Sequence, residues 1–151
     1  MKKRMAVLMV LLCLLVTGCS NEYARAEYNS AAKIASSGDR YSKTKSVFTS
    51  VKESYRLTAS RFDGRETLWT QHLAEGETVQ LKVRLTLAKG QAKLVHVDEE
   101  GRITTLLECT AETDKDEYIT LSLSMPKGKN KLKLVGYDCK NLTCEFIFPE
   151  Q

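Results

Sequence analysis

Over residues 77–88 apolar and polar side chains alternate without a break. Val79, Leu81, Val83, Leu85 and Leu87 fall on one side; Gln80, Lys82, Arg84 and Thr86 fall on the other. A period of two held that long predicts a strand with one buried and one solvated face. The period sets in near Val47 and recurs, more loosely, to the end of the chain. It predicts further strands over 54–62, 66–73, 102–110, 117–125, 129–138 and 142–148, with a strand and its closing turn over 91–101. Turn residues punctuate them: Asp63-Gly64, Glu75-Gly76, Lys89-Gly90, Gly101 and Pro126-Lys127-Gly128. Pro126 cannot donate to a ladder and so ends its strand. About eight short strands, with turns every eight to twelve residues or so, predict an all-β antiparallel sandwich.

Before residue 47 the pattern is different. Residues 20–45 are rich in Ala, Ser and charge and nearly empty of large aliphatics. Such a stretch buries too little apolar surface to offset its ordering entropy. It reads as a flexible or partly helical tether, with a few helical turns between Glu22 and Ala35. A partner-binding helix using Tyr23, Ala26 and Ile34 is the alternative, on a thin stripe.

The first 18 residues read differently again. Met1-Lys2-Lys3-Arg4 is a cationic head, and an apolar run follows from Met5 to Val16. A bilayer span needs about 20 apolar residues, so the run fits the core of a secretory signal peptide. It closes on Val16-Thr17-Gly18-Cys19, which resembles the lipobox of bacterial lipoproteins. That resemblance implies cleavage between Gly18 and Cys19 and a diacylglycerol on the Cys19 sulfur. It also implies a protein held by that lipid at the extracytoplasmic face of the cell membrane. In a two-membrane cell, Ser20 is compatible with sorting to the outer membrane. Two acyl chains, at about 0.8 kcal/mol per buried methylene, anchor stably where one is marginal. The expected division is a signal peptide over 1–18, a tether over 19–46 and the sandwich over 47–151.

Processing changes what composition means. Lys2, Lys3 and Arg4 leave with the signal, which takes 23 Lys and Arg to 20 against 19 Asp and Glu. The near-neutral remainder lacks the sustained cationic excess of a nucleic-acid surface. Cys109, Cys139 and Cys144 remain once Cys13 and Cys19 are set aside. Cys139 and Cys144 bracket "KNLT", read as a hairpin loop, and are candidates for a disulfide. Cys109 pairing with one of them, or three reduced buried thiols, are the other readings. A cysteine-only metal site lacks its fourth ligand.

The run from Phe62 to Phe148 resembles the small secreted β-sandwiches common in Gram-positive bacteria. These pair G-x-x-x-x-L-x-D-x-x-G with a downstream P-x-G-x-x-x-(I/L)-x-(I/L)-x-G. Here Gly90 to Gly101, containing "LVHVDEEG", approximates the first, and "MPKGKNKLKLVG" over 125–136 the second. The resemblance implies a jelly-roll-like antiparallel sandwich, an architecture shared by many carbohydrate-binding modules. The motifs describe turns and strands, so they carry fold and not function.

Candidate chemistry is sparse. His72 and His96 are the only histidines, and no nucleophile, metal or phosphate-loop motif accompanies them. The chain therefore reads as a binding protein, not an enzyme, and no pattern implies a cofactor. Acidic residues cluster at Asp98, Glu99 and Glu100, and at Glu112, Asp114, Asp116 and Glu117; solvated loops explain them better than Ca²⁺. Trp69, with Tyr55, Phe62, Tyr118 and Tyr137, could form a platform for a sugar ring; Trp69, Tyr118 and Tyr137 are its candidate ligand contacts. The competing reading of Trp69 is a core residue. Lys129, Lys131 and Lys133 share a strand face, as do Lys82 and Arg84, and read as solvated edges or a stripe for anionic polymers. The expected partners are the membrane, through Cys19, and a cell-wall glycan or an envelope protein. A structural accessory subunit with no small ligand is the alternative.

Overall fold

The computed structural model describes residues 19–114 and 116–149. The signal peptide expected over 1–18 lies outside the described residues, as does the side chain of Cys19. Helices α1 (Cys19–Tyr28) and α2 (Ala31–Ala35) come first. Seven strands follow: β1 (Arg40–Val51), β2 (Ser54–Leu73), β3 (Glu77–Thr86), β4 (Lys89–Val97), β5 (Ile103–Thr110), β6 (Ile119–Met125) and β7 (Gly128–Ile147). The all-β antiparallel sandwich read from the alternation is the fold observed.

Its frame is the β2–β7 pair. Each strand is 20 residues long, and they pair antiparallel from Ser54–Ile147 to Leu73–Gly128. The first half of β2 and the second half of β7 sit in a sheet ordered β1-β2-β7-β3-β6. The other two halves carry β4 and then β5. The pair thus passes from one sheet to the other, as strands at sandwich corners do. The bend lies at Phe62–Gly64, where the register with β7 slips. Gly64 takes φ +104°, and a Cβ there would lie 2.1 Å from the Arg40 carbonyl oxygen. Opposite it, Asp138 has φ 50°, and its amide donates to Asp63 Oδ1 at 2.6 Å.

This geometry explains how seven strands replace about eight. Asp63-Gly64 is a bend within one strand, not a turn between two, and residues 139–144 are the middle of β7, not a hairpin loop. The bulges on both strands coincide, so the ladder kinks without opening. β1 is the strand that composition concealed. It pairs with β2 from Arg40–Arg65 to Val51–Ser54, so the tether boundary expected at 46 falls inside it. β1 is a sheet edge and almost wholly exposed, and so it lacks the apolar face that identifies a strand.

Between the sheets lies one apolar core. Leu57, Leu81, Val83 and Phe146 come from the first sheet, and Leu94, Leu132 and Leu134 from the second, with Phe62 at the bend. A smaller cluster covers the opposite face of the second sheet. There Tyr28 of α1 and Ile34 of α2 pack on Val95, Val97 and Val135. The helical segment is therefore docked on the sandwich, and the stripe expected from Tyr23, Ala26 and Ile34 is split, Ile34 lying in the docking face. Ala24, Glu27 and Tyr28 are buried, while Tyr23 and Ala26 are exposed.

Among the described residues, Cys109, Cys139 and Cys144 are free and buried. Cys139 and Cys144 lie five residues apart in one strand, about 16 Å at a strand's rise. A disulfide needs Cα atoms within about 7 Å. Burial pushes both thiols up to about 12, with the carboxyls of Asp63 (for Cys139) and Glu145 (for Cys144) adding to the effect. The native domain should accordingly give no reaction with Ellman's reagent, and the three thiols should react together on denaturation. Rapid labelling of Cys139 or Cys144 in the native state would contradict this packing.

Candidate functional site

The residues singled out for ligand contact do not meet. Trp69 is half-buried at the rim of the core, its ring 4.9 Å from that of Phe148. It borders a shallow hollow of about 230 Å³ with Glu53, Gln71 and Glu77. Tyr118 lies before β6 on the outer face of the first sheet. Its hydroxyl donates to Glu145 Oε2 at 2.8 Å, and Arg84 stands 5.0 Å over its ring. Tyr137 belongs to the second sheet, under α1, edge-on to Tyr28 at 5.1 Å. Tyr55 stacks on Phe146 at 4.8 Å, and Phe62 is fully buried.

The histidines are equally dispersed. His72 is exposed at the end of β2. His96 is buried against Asn130, Nε2 to Oδ1 2.8 Å, and the Asn130 amide donates to the carbonyls of Pro126 and Gly128. Asp98 organises its own turn, accepting from the Glu100 and Arg102 amides and from Arg102 Nε. Among the described residues, no group of three His, Cys, Asp or Glu side chains could hold a metal ion.

A larger site forms where α1 meets the β1–β2 hairpin. A cleft of about 720 Å³ is lined by Tyr23, Glu27, Arg40, Tyr41, Ser42, Thr44, Arg61 and Asp63, with Ala24 and Gly64 at its base. Antiparallel register sets Ser42 opposite Asp63 and Thr44 opposite Arg61, which brings two hydroxyls, a guanidinium and a carboxyl together. Tyr23 and Tyr41 are both exposed at its rim. Burial pushes the Asp63 carboxyl up, and the Asp138 amide only partly offsets this.

Buried charge holds the walls of this cleft. Glu27 is 1 % exposed; it pairs with Arg65 at 2.5 Å and accepts from the Tyr23 hydroxyl at 2.6 Å. Burial alone would raise the Glu27 pKa, but Tyr23 and the Arg65 guanidinium outweigh it and hold the carboxyl below its ordinary value. One layer further, Lys133 is fully buried, a correction to the solvated stripe expected of it. Its ammonium donates to the Ser36 carbonyl at 2.7 Å and lies 3.6 Å from Asp39. Asp39 in turn accepts from the Thr67 amide and hydroxyl at 2.9 and 2.8 Å. Desolvation lowers the Lys133 pKa, with Asp39 pulling the other way. Residues 36–39 are thus strapped across β2 and β7, carrying the chain from α2 into β1.

Sequence reasoning passed over Glu27, Arg65, Tyr41 and Arg61. The spacing of Ala24, Glu27 and Tyr28 is that of a helix face, but a glutamate within it breaks the hydrophobic signal. No family model matches the chain, and no curated protein matches it. Solved structures overlap its sandwich at low similarity. A family 35 carbohydrate-binding module from Paenibacillus barcinonensis is 16 % identical over 78 % of this chain and 96 % of its own, with a TM-score of 0.40. A family 29 module solved with mannohexaose is 9 % identical over 74 % of this chain and 79 % of its own, with a TM-score of 0.42. No site is carried over from either.

The Glu27–Arg65 pair is directly testable. Arg65→Ala should destabilise the domain by about 3–5 kcal/mol, because it strands a buried carboxylate. A carboxyl with a lowered folded pKa stabilises above its unfolded pKa and loses that contribution as pH falls through the folded value. Chemical denaturation across acid pH should show this loss in the wild type. The loss should be smaller in Arg65→Ala; equal acid sensitivity in both would remove the pair's assigned role.

Proposed function

We propose that the protein is an exported, lipid-anchored binding module that takes a cell-envelope glycan in the cleft between α1 and β1–β2, without catalysis. The observation behind this reading is the cleft's lining: two exposed tyrosines beside Ser42, Thr44, Arg61 and Asp63. A sugar offers an apolar ring face and a girdle of hydroxyls. Tyrosine rings suit the first, and paired donors and acceptors suit the second. The lipobox supports the anchor, with Cys19 as the acylated residue. The chemistry assigned is recognition, because His96 is committed to Asn130 and His72 stands away from the cleft lining.

A second reading, an accessory subunit docking on an envelope protein, draws on β1. That edge strand leaves Val47, Phe48 and Val51 exposed at 60, 45 and 68 %. An unpaired edge with apolar side chains can accept a strand from another chain.

Retention of the lipidated protein on immobilised wall polysaccharides separates the readings. Under glycan binding, Tyr41→Ala and Arg61→Ala should each weaken retention by about 3–10-fold, the scale of one aromatic or charged contact. Val47→Lys should leave retention intact. Retention by no polymer, or retention indifferent to Tyr41 and Arg61, would overturn the cleft assignment.

A further inference from the structure

The docking of α1 bears on how the domain meets a membrane, given the acylated Cys19 on which this inference rests. Ala24 is already buried against the sandwich. Cys19 opens the same helix, five residues earlier, which is about 7.5 Å of axial rise. A lipid at that position leaves no long spacer between bilayer and folded domain. Some face of the sandwich near the start of α1 must therefore lie at the headgroups.

The face that lies there is aromatic and basic. Tyr23 stands one turn after Cys19 and is exposed. Arg40 and Lys33 lie 4.0 and 4.9 Å over its ring. Arg61 is exposed and lines the same cleft as Tyr23 and Arg40. None of these three cations has a carboxylate within ion-pair distance among the described residues. The nearby acids are already engaged: Glu27 with Arg65, Glu66 with Lys43, and Asp39 with Lys133 and Thr67. Asp63 accepts from the Asp138 amide, which leaves Glu22 as the exposed carboxylate on α1. Tyrosine prefers the membrane–water interface, and unpaired Lys and Arg are drawn to anionic headgroups.

We propose that the face formed by Tyr23, Arg40, Lys33 and Arg61 is a contact surface for anionic phospholipid headgroups. The domain lies against the bilayer, and the mouth of the cleft, which shares Tyr23 and Arg40, opens beside the lipid. A glycan taken there is held close to the membrane surface.

Lysine acylation footprinting tests this on the lipidated protein in vesicles of phosphatidylcholine, with and without phosphatidylglycerol. Lys33 should react about fivefold more slowly on the anionic vesicles, the scale of one cation at a charged surface. Lys82 and Lys127, both exposed, serve as the reference. The protection should vanish in high salt, where screening shortens to a few ångströms. It should also weaken in Arg40→Gln with Arg61→Gln, a variant whose folding is checked by its melting temperature. Equal reactivity on both vesicles with Cys19 shown acylated by mass spectrometry would overturn the contact surface alone. An unmodified Cys19 would instead overturn the anchor, and the contact surface with it.

Discussion

The antiparallel pairing of β2 with β7 is the constraint on which the molecule depends. Both strands run through both sheets, so the sheets cannot be positioned independently of them. The coincident irregularities at Gly64 and Asp138 turn the pair through its corner, and the Asp63–Asp138 hydrogen bond ties that corner. Three strands join this frame directly, β1 along β2 and β3 and β4 along opposite halves of β7, and β6 and β5 are added outside β3 and β4. Phe62 sits at the bend and reaches the core shared by both sheets, which makes the corner a packing feature as well as a backbone one.

On that frame the helices are fastened by charge as much as by apolar contact. Tyr28 and Ile34 supply a small hydrophobic seat, while Glu27–Arg65 and Lys133–Asp39 fix its register. Buried pairs of this kind add little net stability, since desolvation offsets most of the Coulomb gain. Their effect is selective: a shifted helix would strand charges that the observed position satisfies. The cleft exists because this register is fixed. Its one wall is α1, its other the β1–β2 hairpin, and the strap over residues 36–39 sets the spacing between them.

The fold class was legible in the sequence because alternation survives in the interior strands, β3 above all. The errors share one cause, which is that local chemistry was read without its partner strand. Asp63-Gly64 has the composition of a turn, yet β7 holds it in a continuous ladder. Lys133 alternates like a solvent-facing residue, yet its neighbour across space is the Ser36 carbonyl, 97 positions away. β1 is an edge exposed on both faces, and its apolar residues Val47, Phe48 and Val51 are not gathered on one of them, so it resembled linker. The cleft was illegible for the same reason. Its residues come from α1, β1 and β2, and only the pairing of Ser42 with Asp63 and Thr44 with Arg61 makes them a set.

The position of β7 at the far end of the chain has a consequence for how the molecule comes into being. A polypeptide appears N-terminus first, whether from a ribosome or through a translocation pore. The β1–β2 hairpin is thus complete long before its central partner exists, and half of its ladder stays open until residue 147 has emerged. Non-local pairing of this kind folds slowly and leaves strand edges exposed meanwhile. Lys43, Lys45 and Lys52, distributed along that hairpin, repel other nascent chains during the wait. Of Cys109, Cys139 and Cys144, two lie in β7 itself, so no disulfide among the three can form before that last strand has begun to arrive.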